Sequence, residues 1–270
     1  MLKVTQRNSL DRLKSLVLNP EWPHAVPPNQ LCPPDSELEK CRRAEGIIEL
    51  MMERSAKGCR VLDLGCGEGH TTLQIAQDNP IIGVGYDPVQ QGILEWGKQI
   101  DNWILTNDWK HVEANGPYDI VLIYDVIDHM ESVDVALDVM TKVHKLMDKK
   151  GRAFIRCHPW ITRHGGHLYH QLNKAWIHLI FTDEELKSLL PGYTKPHVLK
   201  LLDPAYTYEK IFEGAGWFPR YQNQIPGNIE GFFRSQPKLA ERIEGVMGGP
   251  RFVRMSHPFY DYILLTKKEY

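Results

Sequence analysis

Asp63 sits in an apolar run, Val61-Leu62-Asp63-Leu64, that empties into the glycine-dense turn Gly65-Cys66-Gly67-Glu68-Gly69. Glycines at that spacing let a ligand lie almost against the backbone, because no Cβ blocks its approach. A carboxylate at a buried strand end is expensive unless something offsets its charge. A cationic group on a nucleoside cofactor would do so.

Spacing argues against the rival dinucleotide reading. The G-x-G-x-x-G fingerprint places its third glycine inside the helix that faces a pyrophosphate. Here the glycines fall at 65, 67 and 69, and the next helix is predicted to start near His70. The second acidic residue, Asp87, closes the run Ile81 to Tyr86 at about the distance expected for a group that grips a ribose diol. A positively charged nucleoside cofactor with these contacts points to S-adenosylmethionine (SAM).

Residues 61–69 resemble motif I of the class I SAM-dependent methyltransferases, and the resemblance extends over roughly residues 57–156. It implies that Asp63, Gly65 and Gly67 hold the methionine moiety and that Asp87 takes the ribose hydroxyls. Asn107-Asp108-Trp109 matches the acidic loop that receives the adenine amino group, with Trp109 as a stacking face. Tyr118 to His129 resembles motif IV, with Asp128 where the family more often has Glu. The full cofactor-binding set implied is Asp63, Gly65, Cys66, Gly67, His70, Asp87, Pro88, Asn107, Asp108, Trp109, Asp125 and Val126.

A second concentration of chemistry lies between Cys157 and Phe181, which holds His158, His164, His167, His170 and His178, five of the twelve histidines. Methyl transfer is an in-line displacement, so alignment of the nucleophile dominates. An alcohol or phenol also gains from losing its proton, and histidine titrates in the useful range. His158, at the end of the fifth predicted strand, and His167, after the flexible turn Gly165-Gly166, are the candidate catalytic bases; His129 is a third. A competing reading makes His164, His167 and His170 a metal site, but Gly165-Gly166 disfavours the helix that spacing would need. The remaining reading makes these histidines packing residues of a cap. No metal enters the reading.

The elements that must position these residues alternate strand and helix. Strands are predicted near 60–64, 81–86, 103–106, 119–124 and 151–157, with helices near 70–78, 89–100 and 131–147 and a short one after 108. That alternation implies a doubly wound α/β sheet with helices on both faces, and ligands bind beyond its strand carboxyl ends. Gly65, Asp87, Asp108 and Asp125 all fall at such ends. By resemblance the sheet is seven-stranded and mostly parallel, of the Rossmann-like methyltransferase type. Gly214 to Phe218 leads into strand six and Phe259 to Lys267 forms the last.

Residues 1–54 read as an N-terminal extension: a short helix over 10–17, a proline-rich stretch to Pro34, and a cover helix over 36–54. Residues 55–270 form the methyltransferase domain, with cap insertions at about 158–210 and 225–258. Thr182 with Glu185 makes a capping box that starts a cap helix.

Composition sets the remaining bounds. Hydrophobic residues make up 42% and charged residues 24%, and a net charge of −2 gives no bulk electrostatic pull toward nucleic acid; the basic residues around Lys195 to Lys210 read as a solvated face. The five cysteines show no metal-like spacing and read as reduced thiols in the cytoplasm. No stretch is long enough to span a bilayer. The expected function is SAM-dependent methyl transfer to a small-molecule acceptor, at oxygen, with S-adenosylhomocysteine released. A methyltransferase acting on tRNA or protein, or a non-catalytic SAM-binding module, remain as alternatives.

Overall fold

The computed structural model describes residues 11, 15, 18–29, 31, 58–78, 81–89, 102–195, 197–224, 230–247 and 259–267. The cover helix over 36–54 lies outside them. So does the helix over 89–100, apart from Val89, which sits in a turn, and most of the helix over 10–17.

Seven strands form one sheet: β1 (Arg60–Leu64), β2 (Ile82–Tyr86), β3 (Trp103–Thr106), β4 (Tyr118–Tyr124), β5 (Met147–Cys157), β6 (Phe218–Gln224) and β7 (Tyr260–Leu265). Their order is β3-β2-β1-β4-β5-β7-β6. β1 pairs in parallel with β2 and β4, β2 with β3, and β4 with β5. Strands buried on both faces read as continuous apolar runs, and Val61, Leu62, Val121, Leu122 and Ile123 are indeed wholly buried. The order reverses between β1 and β4, which puts the loops after those strands at the switch point of the sheet.

β5 begins at Met147, four residues before the predicted start. Tyr118 pairs with Met147 but Ile120 pairs with Arg152, so an irregularity in register lies between them. The polar segment Asp148 to Lys150 hid this pairing from a hydrophobic pattern. The early start of β5 also ends the preceding helix, α3 (Val133–Lys145), two residues before the predicted end.

The chain divides into two compact units. The larger holds Cys32–Cys157, Ala205–Asn223 and Asp261–Tyr270, and so contains nearly all of the sheet. In it α1 (His70–Asp78), α2 (Trp109–Ala114) and α3 connect strands, and most of α6 (Pro204–Gly214) packs there. Phe212 of α6 meets Tyr262 of β7 edge-on, with ring centroids 5.0 Å apart. Arg156 of β5 makes a two-pronged ion pair with Asp261 of β7, Nε to Oδ1 at 2.7 Å and Nη2 to Oδ2 at 2.9 Å. That planar match is the strong form of the interaction.

The smaller unit joins Met1–Leu31, His158–Pro204 and Gln224–Tyr260. It contains α4 (Ile177–Ile180), α5 (Asp183–Leu189), α7 (Glu230–Ser235) and α8 (Pro237–Met247). Trp22, Trp176, Phe181, Phe233 and Ile243 share its core. The proline-rich stretch is laced to residues 173–175. Trp22 Nε1 donates to the Ala175 carbonyl at 2.9 Å, Ala175 N to Pro23 O at 2.9 Å, and Val26 N to Asn173 Oδ1 at 2.8 Å. The predicted capping box at Thr182 and Glu185 is present in both directions and starts α5.

Candidate active site

The glycine turn is set by backbone geometry. Gly65, Gly67 and Gly69 all have positive φ, at 77°, 55° and 84°. A Cβ on Gly65 would also collide with Cγ2 of Val126, so these two residues interlock the loops after β1 and β4. The N–H groups of Gly65 and Cys66 both donate to the Tyr86 carbonyl, at 2.7 and 3.1 Å. Gly67 N then donates to Asp87 Oδ2 at 2.9 Å. The turn is thereby tied at two points to the end of β2, which leaves it pre-organised for a ligand.

Asp63 is buried in β1, 6% exposed. After burial itself, the Asp63 and Asp87 carboxylates push the Cys66 thiol above its ordinary range. Cys66 is therefore a neutral lining group, its thiol near the Gly67 carbonyl at 3.6 Å. His70 opens α1 with Nε2 3.4 Å from Glu68. Pro88 is exposed in the turn that follows Asp87.

Asp87 is more occupied than its sequence role implied. Both oxygens accept backbone N–H groups, Oδ2 from Gly67 and Oδ1 from Val89 at 2.9 Å. Each carboxylate oxygen keeps a second lone pair, so ribose hydroxyls remain within its capacity. Asp108 likewise has a structural duty as the N-cap of α2, where Oδ1 accepts from Lys110 N at 3.0 Å. Trp109 meets Tyr86 edge-on at 5.2 Å and donates its indole N–H to Glu113. Asn107 is exposed beside them.

Tyr86 was not singled out from the sequence, yet it joins these groups. Burial first, then the Asp87 and Asp108 carboxylates, push its hydroxyl above the usual value. A tyrosine closing an apolar strand carries no sequence signal of such a role. Asp125, just past β4, holds φ at 58° with its N–H bonded to the Arg156 carbonyl at 2.9 Å. A non-glycine residue in that conformation costs energy and tends to mark function.

These residues fit a SAM molecule. A Cβ on Gly67 would meet nothing within 4 Å, so open space lies over the turn, beside acids at three strand ends. Asp63 offers the buried negative charge that a sulfonium would offset.

The candidate bases fall in different units. His129 ends a 3-10 turn (Ile127–His129) in the sheet unit, with Nε2 3.7 Å from Oδ2 of the buried Asp128. His158 and His167 belong to the smaller unit, where their rings are 6.4 Å apart, and the His164 ring is 4.9 Å from that of His158. Residues 161–171 run through turns, so the spacing of His164, His167 and His170 falls on no helix. The Gly165-Gly166 pair is not a flexible hinge. Both are buried, and a Cβ would collide with the Pro159 carbonyl at Gly165 and with the His178 ring at Gly166. Close packing, not mobility, accounts for the two glycines, and His167 after them holds φ at 52°.

The family model described as a methyltransferase domain matches residues 36–193. Over 129 residues the chain is 29% identical to (S)-coclaurine N-methyltransferase of Thalictrum flavum subsp. glaucum, covering 44% of this chain and 35% of that one. Over 97 residues it is 30% identical to a ubiquinone biosynthesis O-methyltransferase of Agrobacterium fabrum, covering 33% and 38%. The matched stretch thus spans little more than a third of either relative. Among solved structures, magnesium protoporphyrin IX methyltransferase of Synechocystis PCC 6803 with bound SAH superposes with a TM-score of 0.51 at 15% identity, over 97% of this chain and 95% of that one. A cyclopropane synthase of Mycobacterium tuberculosis gives 0.52 at 14% identity, over 96% and 94%. These structures share the fold. With the family model matching more than half of its length, this chain belongs to the methyltransferase-domain family, SAM-dependent enzymes of the Rossmann-like class I fold.

Proposed function

We propose that this chain methylates an oxygen nucleophile of a small-molecule acceptor, with His158 or His167 as the base. The observation that carries the reading is the histidine cluster around His158, the residue after the last of β5, whose ring centroid lies 4.9 Å from that of His164 and 6.4 Å from that of His167. Among the matched relatives two are named ubiquinone biosynthesis O-methyltransferases and one (S)-coclaurine N-methyltransferase, which supports a small-molecule acceptor.

SAM, when bound, supplies a methyl group made electrophilic by its sulfonium. The glycine turn and Asp63 would hold its methionine end, with Cys66 and His70 alongside. Asp87 and Pro88 would meet the ribose, Asn107, Asp108 and Trp109 the adenine, and Asp125 with Val126 the opposite wall. The protein's own work is to align the acceptor oxygen and take its proton on a neutral histidine nitrogen as the bond to carbon forms.

The test is an acceptor screen that reports S-adenosylhomocysteine release, followed by His158→Ala, His167→Ala and His129→Ala. One cap variant is expected to lose roughly a hundredfold or more in kcat while its SAM affinity by calorimetry stays unchanged. Full turnover in both cap variants would overturn the assignment of the base.

A further inference from the structure

Arg163 lies in the same turn-rich segment as the histidines and has no use in the reading above. Its side chain is half-buried and its Nε is enclosed without a hydrogen-bond partner. Among the described residues no carboxylate faces it. Burial alone acts on its charge, lowering its affinity for the proton. Two other half-buried arginines have acids, Asp261 for Arg156 and Glu185 for Arg242. Arg163 also lies in an acid-free stretch of sequence: no Asp or Glu occurs from Lys149 through Thr182.

The backbone under Arg163 is firmly held. Thr162 N and Oγ1 both donate to the Pro159 carbonyl, at 3.0 and 2.9 Å, and Gly165 N donates to Thr162 O at 3.1 Å. The Arg163 carbonyl itself accepts Trp176 N at 2.8 Å. A half-desolvated guanidinium on a rigid turn, with no acid beside it, costs stability in the free chain. A guanidinium left without an acid can instead take an oxyanion, since a carboxylate matches its plane with two hydrogen bonds.

We propose that Arg163 binds an anionic group, a carboxylate or similar oxyanion, of the acceptor. This rests on the small-molecule methyltransferase reading and narrows its substrate class to acceptors that carry a negative charge. The methionine carboxylate of SAM has the same chemistry and is the other source to be told apart.

The experiment uses the full chain and benzoate as the probe anion. Melting temperature is measured in benzoate and in chloride at equal ionic strength, for the wild type, Arg163→Met and Arg163→Lys. Lys187→Met, an exposed change in the same unit, is the control. Benzoate is expected to raise the wild-type and control melting temperatures above their chloride values, by linkage to the folded state. The increment should vanish in Arg163→Met and shrink in Arg163→Lys, which keeps charge but loses the fork. In chloride, Arg163→Met should melt no lower than the wild type. Equal increments in wild type and Arg163→Met, no increment in the wild type, or a destabilised Arg163→Met in chloride would each overturn the proposal. Calorimetric titration with S-adenosylhomocysteine separates the two sources. Unchanged affinity in Arg163→Met supports the acceptor, and a tenfold or larger loss would assign the arginine to the cofactor and overturn it. Failure of the wild type to bind S-adenosylhomocysteine would instead refute the reading of the glycine turn.

Discussion

The Asp87 carboxylate accepts the Gly67 N–H at 2.9 Å, so the acid that ends β2 is also the anchor of the glycine turn that follows β1. With its other oxygen on Val89 N, it fixes two loops with one side chain. A group with both duties affects a ligand directly and through the shape of the turn.

Asp87→Ala should therefore cost more SAM affinity than the loss of ribose contacts alone. A drop of at least tenfold is expected, on the scale of one or more charge-assisted hydrogen bonds. Asp87→Asn keeps one oxygen acceptor and should fall between. Calorimetric titration with SAM checks both, and wild-type affinity in the alanine variant would contradict the anchor role.

Gly65→Ala faces two penalties, the collision with Val126 and a φ of 77°. The variant should lose about 1–3 kcal/mol of stability, read as a shift in denaturant midpoint. Adding Val126→Ala should restore the part due to collision and leave the part due to φ. Full restoration would mean that backbone conformation contributes nothing there.

Trp22 is 2% exposed in the core of the smaller unit and donates its indole N–H to Ala175. Trp22→Ala should destabilise that unit by about 3–5 kcal/mol. Limited proteolysis should then cut within residues 158–204 under conditions that leave the wild type intact. Unchanged protection would show that the proline-rich stretch is dispensable to the unit.

His178 gives the fold a pH dependence with a definite sign. Burial holds its ring near a pKa of about 4 instead of 6.5, against the hydrogen bond to the Trp160 carbonyl, and Lys200 lowers it further. As pH falls below about 6.5 the unfolded chain takes up the proton while the folded chain does not until about 4. Stability contributed by the neutral ring is thus lost across that window, at no more than ~1.4 kcal/mol per pH unit. Urea melts at pH 7 and pH 5 should show this loss in the wild type and a flatter response in His178→Gln.

The sheet was legible because strands buried on two faces must be continuously apolar. Ile120 to Ile123 is such a run, and Val61 to Leu64 is one but for Asp63. The glycine turn and the acids at 63, 87, 108 and 125 were legible because a tight backbone approach and strand-end placement demand those residue types. The start of β5 was not, since Asp148 to Lys150 fall at an irregularity in register and carry no hydrophobic pattern.

By itself the sequence determined the order of the strands, the glycine turn after β1 and the capping box at Thr182, all of which depend on neighbours a few residues away. Only the tertiary structure decided that Val126 forbids a side chain at 65, that Asp87 is bound to Gly67, and that Gly165 and Gly166 are packed and not hinged. It also decided that Arg163 stands without an acid among the described residues. Those are relations between residues far apart in the chain, and no local pattern of polarity encodes which carbonyl, ring or carboxylate the fold will bring against them.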